Sequence, residues 1–176
     1  IVVTTGGSVT ACSAYLNTSD GISAGTGAIV QACSATSNVR HGIVLGDGAS
    51  AIDCTASRNA EHGIFNNALN TAIIRGNTCD GNGTAIADGA GIHVDGNNCR
   101  IESNSCSAND VGIEVDGSRN LIVGNTCTQN AISFDFVSFN QYGRIVDLTA
   151  VFTGAFSGNA ATSTLTSSDP WANFAQ

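Results

Sequence analysis

One histidine and four carboxylates stand at matching places in successive repeats, and they are the side chains best suited to chemistry. His93, Glu114 and Asp135 form one predicted column, and Asp95 and Asp116 form a second column two residues later. Stacked carboxylates repel each other, so we expect one of them to hold a proton or a cation to lie among them. Paired carboxylates can act as general acid and base, and oxygen-rich clusters also suit Ca²⁺.

A repeat of 21 residues positions these side chains. Residues 91–111 read GIHVDGNNCRIESNSCSANDV, and residues 112–132 read GIEVDGSRNLIVGNTCTQNAI. A fixed period of this length indicates stacked supersecondary units. The unit at residues 63–90 is longer, with 28 residues, and we expect its surplus to form a protruding loop near residues 80–90 that walls one side of the acidic columns.

Apolar and polar residues alternate after the first glycine of each repeat. Ile92 and Val94 and their counterparts are expected to point inward, and the residues between them outward. Each unit is too short for a βαβ crossover and lacks helical periodicity. The sequence therefore predicts an all-β fold, a single parallel β-helix of about six to seven coils. We assign the coils to residues 1–142 and an irregular C-terminal cap to residues 143–176.

Two interior columns of small or amide side chains are expected to run along the coils. Where the first column changes from Cys to Asn, the second changes from Ala to Cys, which indicates a shared interior volume. Asn amides can bond from coil to coil and so satisfy buried polar groups. The cysteines lack a zinc spacing, and stacked Cβ vectors fit a disulfide poorly, so we interpret them as buried small residues. The columns comprise Cys12, Cys33, Cys54, Asn77, Asn104 and Asn125, and, beside them, Cys79, Cys106 and Cys127.

Composition excludes several classes of function. The net charge is −8 and Lys is absent, which argues against binding to nucleic acid or anionic lipid. No apolar run is long enough to span a bilayer. The chain begins at Ile1 without Met, which we interpret as removal of an export signal, and this predicts a secreted or cell-surface protein. A lyase is disfavoured because no Arg stands in the acidic columns to support its base.

The repeated patterns GI-x-V-x-G and N-x-I-x-x-N-x-C, with the closing DPWANF at residues 169–174, resemble a known family. They are similar to the right-handed parallel β-helix repeats of pectate-lyase-like and polygalacturonase-like proteins, and to secreted bacterial β-helix proteins of unassigned function. The resemblance covers nearly the whole chain and implies a right-handed β-helix. Because the same coil carries lyases, hydrolases, adhesins and phage fibres, it leaves the function open. Hydrolases of this fold place acids and a histidine on such a face.

The leading hypothesis is a non-enzymatic structural or surface protein that self-associates end to end. The first coil is expected to present an unpaired edge, and head-to-tail contacts that do not close produce a filament. Under this hypothesis the acidic columns are a solvated face whose Asp-Gly pairs form turns. The apolar residues expected to cap the ends or dock on another subunit are Ile1, Val2, Val3, Phe152, Phe156, Trp171 and Phe174.

The alternative is a carbohydrate-active enzyme of the glycoside hydrolase kind, or a module that binds glycan or Ca²⁺ on the acidic face. No cofactor and no metal site are predicted, with Ca²⁺ left open. His41 and His62 close successive coils at the same position, and we interpret them as a stacked pair in the turn rather than as ligands. Trp171 is expected to cover the core, although an exposed Trp could stack on a sugar.

Overall fold

The chain folds as a parallel β-helix, seen in a computed structural model that describes residues 1–67, 71–83, 89–147, 156–158 (backbone only) and 170–176. Every strand pairing in these residues is parallel, and the strands form three sheets. The described residues contain strands, turns and bends but no helix, and so none that could cross a membrane. The prediction of an all-β parallel β-helix of about six to seven coils is confirmed, and the described residues form about six.

Each coil contributes one short strand to each sheet. Sheet A contains β1 (Val2–Val3), β4 (Ile22–Ala24), β7 (Ile43–Leu45), β10 (Ile64–Asn66), β13 (Ala90–Val94), β16 (Val111–Val115), β19 (Ile132–Phe136) and β22 (Phe156–Gly158). Sheet B contains β2 (Ser8–Thr10), β5 (Ile29–Gln31), β8 (Ser50–Ile52), β11 (Ile73–Arg75), β14 (Arg100–Glu102), β17 (Leu121–Val123) and β20 (Gln141–Tyr142). Sheet C contains β3 (Ser13–Tyr15), β6 (Ser34–Thr36), β9 (Thr55–Ser57), β12 (Thr78–Asp80), β15 (Ser105–Ser107), β18 (Thr126–Thr128), β21 (Ile145–Asp147) and β23 (Asn173–Ala175).

The core is a stack of equivalent side chains from successive coils. Sheet A supplies large apolar residues, whereas sheet C supplies only Ala and Cys at its inward positions from β3 to β18. This asymmetry lets the large side chains fill the interior against a wall of small ones, as dense packing requires. The fully buried column of sheet A comprises Ile22, Ile43, Ile64, Ile92, Ile113 and Phe134.

The glycine that opens each repeat is required by close packing. A Cβ atom on Gly42 would lie 2.6 Å from the side-chain nitrogen of Asn59 and 2.6 Å from the carbonyl oxygen of Gly63. Real Cβ contacts are not this short, so a larger residue would displace backbone of the next coil. The glycine of each Gly-Ile pair, directly before or within the first residues of a strand of sheet A, therefore packs against the side chain of an interior Asn.

The seven-residue surplus of the third unit is divided between two places. Relative to the second coil, two extra residues lie between β10 and β11, and five lie between the end of β12 and Ile92 of β13, the partner of Ile64. The prediction had placed the whole surplus near residues 80–90. The centre of that predicted loop, residues 84–88, lies outside the described residues, as do residues 68–70.

The two ends of the solenoid differ. Strands β1, β2 and β3 are each the outermost strand of their sheet, and Val2 is 81% exposed while Val3 is buried. At the other end, β23 lies between β18 and β21, so a late segment of the chain fills a place inside sheet C.

The predicted cap residues have different positions. Trp171 is 54% exposed, so the expectation that it covers the core is wrong; Ala172 and Ala175 are buried there instead. Phe174 is partly buried, on the outer side of β23. Phe156 belongs to β22 by its backbone, and Phe152 lies outside the described residues.

Candidate functional site

The outer face of sheet A gathers the predicted acidic columns around one imidazole. His93 pairs with Glu114 across β13 and β16, and Glu114 pairs with Asp135 across β16 and β19. Asp95 and Asp116 follow directly after β13 and β16. Parallel pairing in register therefore brings residues 21 positions apart into adjacent coils, about 4.8 Å from each other.

His93 contacts three of the four predicted carboxylates. Its Nε2 lies 3.0 Å from Oδ1 of Asp95 and 3.4 Å from Oδ2 of Asp116, and its Nδ1 lies 3.5 Å from Oε2 of Glu114. The carboxylate of Asp135 makes no ion pair or hydrogen bond with the described part of the chain. The structure thus brings four of the five predicted residues together and leaves Asp135 at the margin.

A second histidine, His62, belongs to this cluster although it was not predicted as a site residue. Its Nε2 lies 3.1 Å from Nδ1 of His93. His62 is buried, and its Nδ1 accepts the backbone N–H of Ala90 at 3.0 Å. In the preceding coil, Nδ1 of His41 accepts the backbone N–H of His62 at 3.4 Å. Each of these imidazoles therefore binds the backbone of the coil that follows it.

Aromatic contacts fix the orientation of the imidazoles. The rings of His41 and His62 are stacked, with centroids 5.1 Å apart and an interplanar angle of 4°. The ring of Phe65, on β10, packs within 4.7 to 5.3 Å of His41, His62 and His93. Because Phe65 covers one side of the group, His93 meets solvent mainly on the side of Asp95 and Asp116, which are 45% and 56% exposed.

Burial and hydrogen bonding determine the protonation of this group. Burial, with the neighbouring His93 and His41, lowers the pKa of His62 to about 3. Burial also lowers the pKa of His41, against the opposing effect of Glu61. Because Nδ1 of neutral His62 accepts from Ala90, its proton lies on Nε2 and is donated to Nδ1 of His93.

Two overlapping groups of side chains have ligand atoms close enough to hold a metal ion. In each group all the ligand atoms lie within 4.8 Å of one another, and His93 belongs to both. One group comprises His62, His93 and Glu114, and the other comprises His93, Asp95 and Asp116. The second group is the more exposed, and its three donors are one imidazole nitrogen and two carboxylate oxygens.

The cysteines are poor metal ligands by comparison. All seven are free thiols, and all except Cys12 are buried. Burial raises the pKa of Cys54 to about 11, and the contacts between the stacked thiols, together with burial, raise the pKa of Cys79 and Cys106 well above the usual range. A thiol must lose its proton to bind a metal, so these side chains stay protonated in the interior.

The first predicted interior column lies directly before the strands of sheet C, and the second forms the small wall of that sheet. Oδ1 of Asn77, Asn104 and Asn125 each accepts the backbone N–H of the preceding coil, at 2.9 to 3.0 Å. Cys33 takes the same place for the N–H of Cys12, at 3.4 Å. The C-terminal Asn173 extends this series by accepting the N–H of Asn125 at 3.0 Å.

A second asparagine column was missed by the sequence analysis. Each of its members except the last donates its amide to Oδ1 of the next, at 2.7 to 3.0 Å. Its signal was available, because an Asn recurs five residues after every position of the first column. The column comprises Asn17, Asn38, Asn59, Asn82, Asn109 and Asn130.

A family model described as "Periplasmic copper-binding protein (NosD)" matches residues 2–166. No curated protein and no solved structure matches the chain. The family description overturns the prediction that no cofactor is needed, with Ca²⁺ left open, because the family is described as binding copper. Physically, that prediction counted one imidazole, His93, among the carboxylates and did not include the second, His62. The match extends over nearly the whole solenoid, and the chain belongs to the NosD family.

Proposed function

We propose that this chain is a non-enzymatic protein of the periplasm or the extracellular space that binds copper(II) on the outer face of sheet A. The observation that carries the proposal is the position of His93, whose Nε2 lies within 3.4 Å of two exposed carboxylates. The description of the family as copper-binding supports the choice of metal.

The donor set fits copper(II) better than calcium or copper(I). Imidazole nitrogen with carboxylate oxygen suits copper(II), whereas calcium takes six to eight oxygen ligands. Copper(I) prefers thiolates, and the stacked thiols of Cys79 and Cys106 are buried and protonated. The protein would therefore hold the oxidised ion at its surface rather than the reduced ion in its interior.

The residues around His93 have distinct roles in this proposal. Nε2 of His93 and the carboxylates of Asp95 and Asp116 would hold the ion, so the one proton of the imidazole would lie on Nδ1. It would be donated there to Oε2 of Glu114, which is 3.5 Å away, and His62 would no longer donate to that nitrogen. A carboxylate behind a ligating imidazole fixes its orientation and raises its basicity. His62 and Phe65 hold the ring in place from the other side.

The exposure of the site favours transient binding. Asp95 and Asp116 are about half exposed, so an ion can enter and leave without movement of the coil. Structural metal sites are closed by four protein ligands, whereas this group provides three. We therefore expect a site that acquires and releases copper(II), the bound ion supplying a Lewis-acidic and redox-active centre.

Titration of the protein with copper(II), followed by calorimetry and electron paramagnetic resonance, tests the proposal. Wild-type protein is expected to bind one ion with a nitrogen-and-oxygen signal, and Asp95→Asn with Asp116→Asn should abolish it. Glu114→Gln should weaken binding by roughly 10- to 100-fold, as expected for a residue that orients a ligand. Asp135→Asn is the matched control, because its carboxylate lies on the same face outside the cluster. Unchanged binding in the double variant would overturn the site.

End-to-end association remains a separate proposal. It is supported by the outermost strands β1, β2 and β3, whose outer edges pair with no strand of the described residues and could accept another strand, and by the exposed Val2. Electron microscopy of natively purified protein should show filaments whose axial repeat is near the length of one solenoid. Dispersed particles at high protein concentration would contradict it, and Val2→Lys is expected to dissolve any filaments.

A glycoside hydrolase is the alternative use of the same face. Glu114 is 20% exposed and Asp116 is 56% exposed, and neighbouring carboxylates in unequal environments can divide the roles of acid and base. A screen of neutral and acidic polysaccharides tests it, with Glu114→Gln and Asp116→Asn as inactive variants. Hydrolysis that persists in both variants, or no hydrolysis by wild-type protein, would rule it out.

A further inference from the structure

The outer face of sheet C carries a regular array of hydroxyl groups. The outward residues at the first position of six successive strands are all Ser or Thr, and four of the six at the last position are as well. Tyr15 adds a phenol, so eleven of the twelve positions bear a hydroxyl group. The array comprises Ser13, Ser34, Thr55, Thr78, Ser105 and Thr126 in one column, and Tyr15, Thr36, Ser57, Asp80, Ser107 and Thr128 in the other.

The array is a two-dimensional lattice. Pairing in register places equivalent residues of adjacent coils about 4.8 Å apart along the axis. The two outward residues of one strand are two positions apart in the sequence, so their Cα atoms are about 6.6 Å apart. The inward residue between them is always Ala or Cys, so all six strands pack at a similar depth.

Turns of one kind hold the lattice at both edges. The residue two positions before each of these strands and the residue directly after it have positive φ in every coil, between 51° and 68°. The asparagine columns lie just inside these turns; the second column bonds each coil to the next, and the first does so from Asn77 onward. Identical turns and continuous amide bonds make the spacing of the hydroxyl groups a rigid property of the fold. The left-handed residues are Ala11, Ala32, Asp53, Gly76, Ser103 and Gly124 before the strands, and Leu16, Ser37, Arg58, Gly81, Ala108 and Gln129 after them.

The middle of the lattice is available to a partner. Thr55, Thr78 and Ser105 are exposed, and within the described part of the chain their hydroxyl groups have no hydrogen-bond partner. Bonds within the face are confined to Ser34 with Thr36, Thr36 with Ser57, and Ser107 with Asp80. The exposed hydroxyl groups therefore bind water, at positions that repeat with the coils.

The near absence of charge on this face favours an uncharged partner. Asp80 is the single charged residue among the twelve positions, and it is engaged by Ser107. Sheet A, by contrast, presents carboxylates on adjacent coils. A partner that complements sheet C must be neutral, periodic in two directions, and able both to donate and to accept hydrogen bonds.

We infer that the outer face of sheet C binds ice. The surface of hexagonal ice is an uncharged array of water oxygens whose repeats are comparable with the hydroxyl spacings of this face in both directions. Rigidly held hydroxyl groups can fix a first layer of water that continues into the crystal, with little loss of entropy on binding because the groups are already ordered. The inference uses a different face from the proposed copper site and is independent of it.

Thermal hysteresis and partition into a slowly growing ice front test this inference on the wild-type chain. We expect the protein to enter the ice, to shape ice crystals and to lower the freezing point without lowering the melting point. Thr55→Lys with Thr78→Lys should abolish these effects, because two long charged side chains would interrupt the lattice. Thr10→Lys makes the same change at an exposed position of sheet B and should retain them. Circular dichroism and thermal melting verify that each variant is folded.

Four results would overturn the inference. Wild-type protein could be excluded from ice as an ordinary soluble protein is. The Thr55 and Thr78 variant could keep full activity, or the Thr10 variant could lose as much, which would remove the link to sheet C. Wild-type protein could instead adhere to crystalline cellulose or chitin and show no effect on ice, which would identify the lattice as a glycan platform.

Discussion

The outer faces of sheets A and C are built by the same coils with the same period, yet they differ in chemistry. From one coil to the next, sheet C repeats a hydroxyl residue, whereas the middle position of sheet A changes at every coil. Both extra segments of the third unit adjoin sheet A, one directly after β10 and one directly before β13. The backbone repeat therefore fixes where side chains stand, and departures from the repeat accompany the cluster of titratable groups. The changing column of sheet A reads Ser23, Val44, Phe65, His93, Glu114 and Asp135.

The comparison also separates two sources of order. Sheet C is held by asparagine side chains at both edges, and these bonds are buried. The cluster on sheet A is held by the contacts of a few rings and carboxylates at the surface. We therefore expect damage to the asparagine columns to affect the whole fold, and changes within either outer face to have local effects.

The largest effect is expected from an asparagine in the middle of a column. Asn109→Ala would leave the backbone N–H and side-chain amide of Asn82, and the carbonyl of Cys79, without their present partner. Because these groups are buried, we expect a loss of about 4 kcal/mol in the free energy of unfolding. Asn17→Ala is the matched control at the first coil, where one amide bond is lost, and it should cost about 1 kcal/mol. Urea denaturation measures both, and equal small losses would show that the columns do not hold the coils.

A smaller effect on the free energy of unfolding is expected from acid, which protonates His62, the buried imidazole of the cluster on sheet A. His62 has a pKa of about 3 when folded and an ordinary value near 6.5 when unfolded. The unfolded chain therefore binds its proton first, and the stability contributed by neutral His62 is present above pH 6.5 and is lost as the pH falls toward 3. Between pH 7 and pH 4, wild-type protein should lose on the order of 3 kcal/mol more than His62→Gln.

The measurement is denaturation of both proteins at several pH values in the presence of a chelator. Parallel pH profiles of the two proteins would show that His62 is not held neutral by the fold. A wild-type profile that falls more steeply only below pH 6.5 would locate the effect on an imidazole rather than on the carboxylates, which titrate at lower pH in unfolded chains.

The smallest effect is expected on the outer face of sheet C. Thr55→Val and Ser105→Ala remove hydroxyl groups that have no partner in the described part of the chain, so stability should change by no more than about 0.5 kcal/mol. Thermal melting checks this expectation. A loss comparable with that of Asn109→Ala would mean that the lattice itself supports the fold, and the distinction between the outer face and the columns would fail.

The sequence predicts the fold and the register of the candidate site well, for a physical reason. A strict 21-residue period allows in-register stacking of equivalent residues, so the sequence alone places His93, Glu114 and Asp135 on adjacent coils, as the strand pairing confirms. The involvement of His62 could not be predicted in the same way. It depends on how the ring of His62 is oriented toward His93, and the extra residues of the third unit lie between these two histidines and interrupt the period.

The C-terminal strand was also beyond prediction. Residues after 142 leave the repeat, and the tail offered no sign that Asn173–Ala175 would pair with β18. The structure shows why this is favourable: Asn173 presents its amide oxygen to Asn125, as an asparagine in the next coil would. A single Asn in a non-repeating tail is too common to be recognised as a member of a column.

The asparagine columns give the solenoid a direction. Each Oδ1 accepts a backbone N–H from the coil before it, as Asn59 does from Asn38, and an N–H group can only donate. The orientation of every side-chain amide is thereby fixed, and all the amide dipoles of a column point the same way along the axis. Such chains of bonds polarise one another, so the amide dipoles of a column add along the axis of the solenoid. A coil added at either end can continue these hydrogen bonds in one orientation only, with its side-chain amides pointing in the same direction along the axis as those of the column.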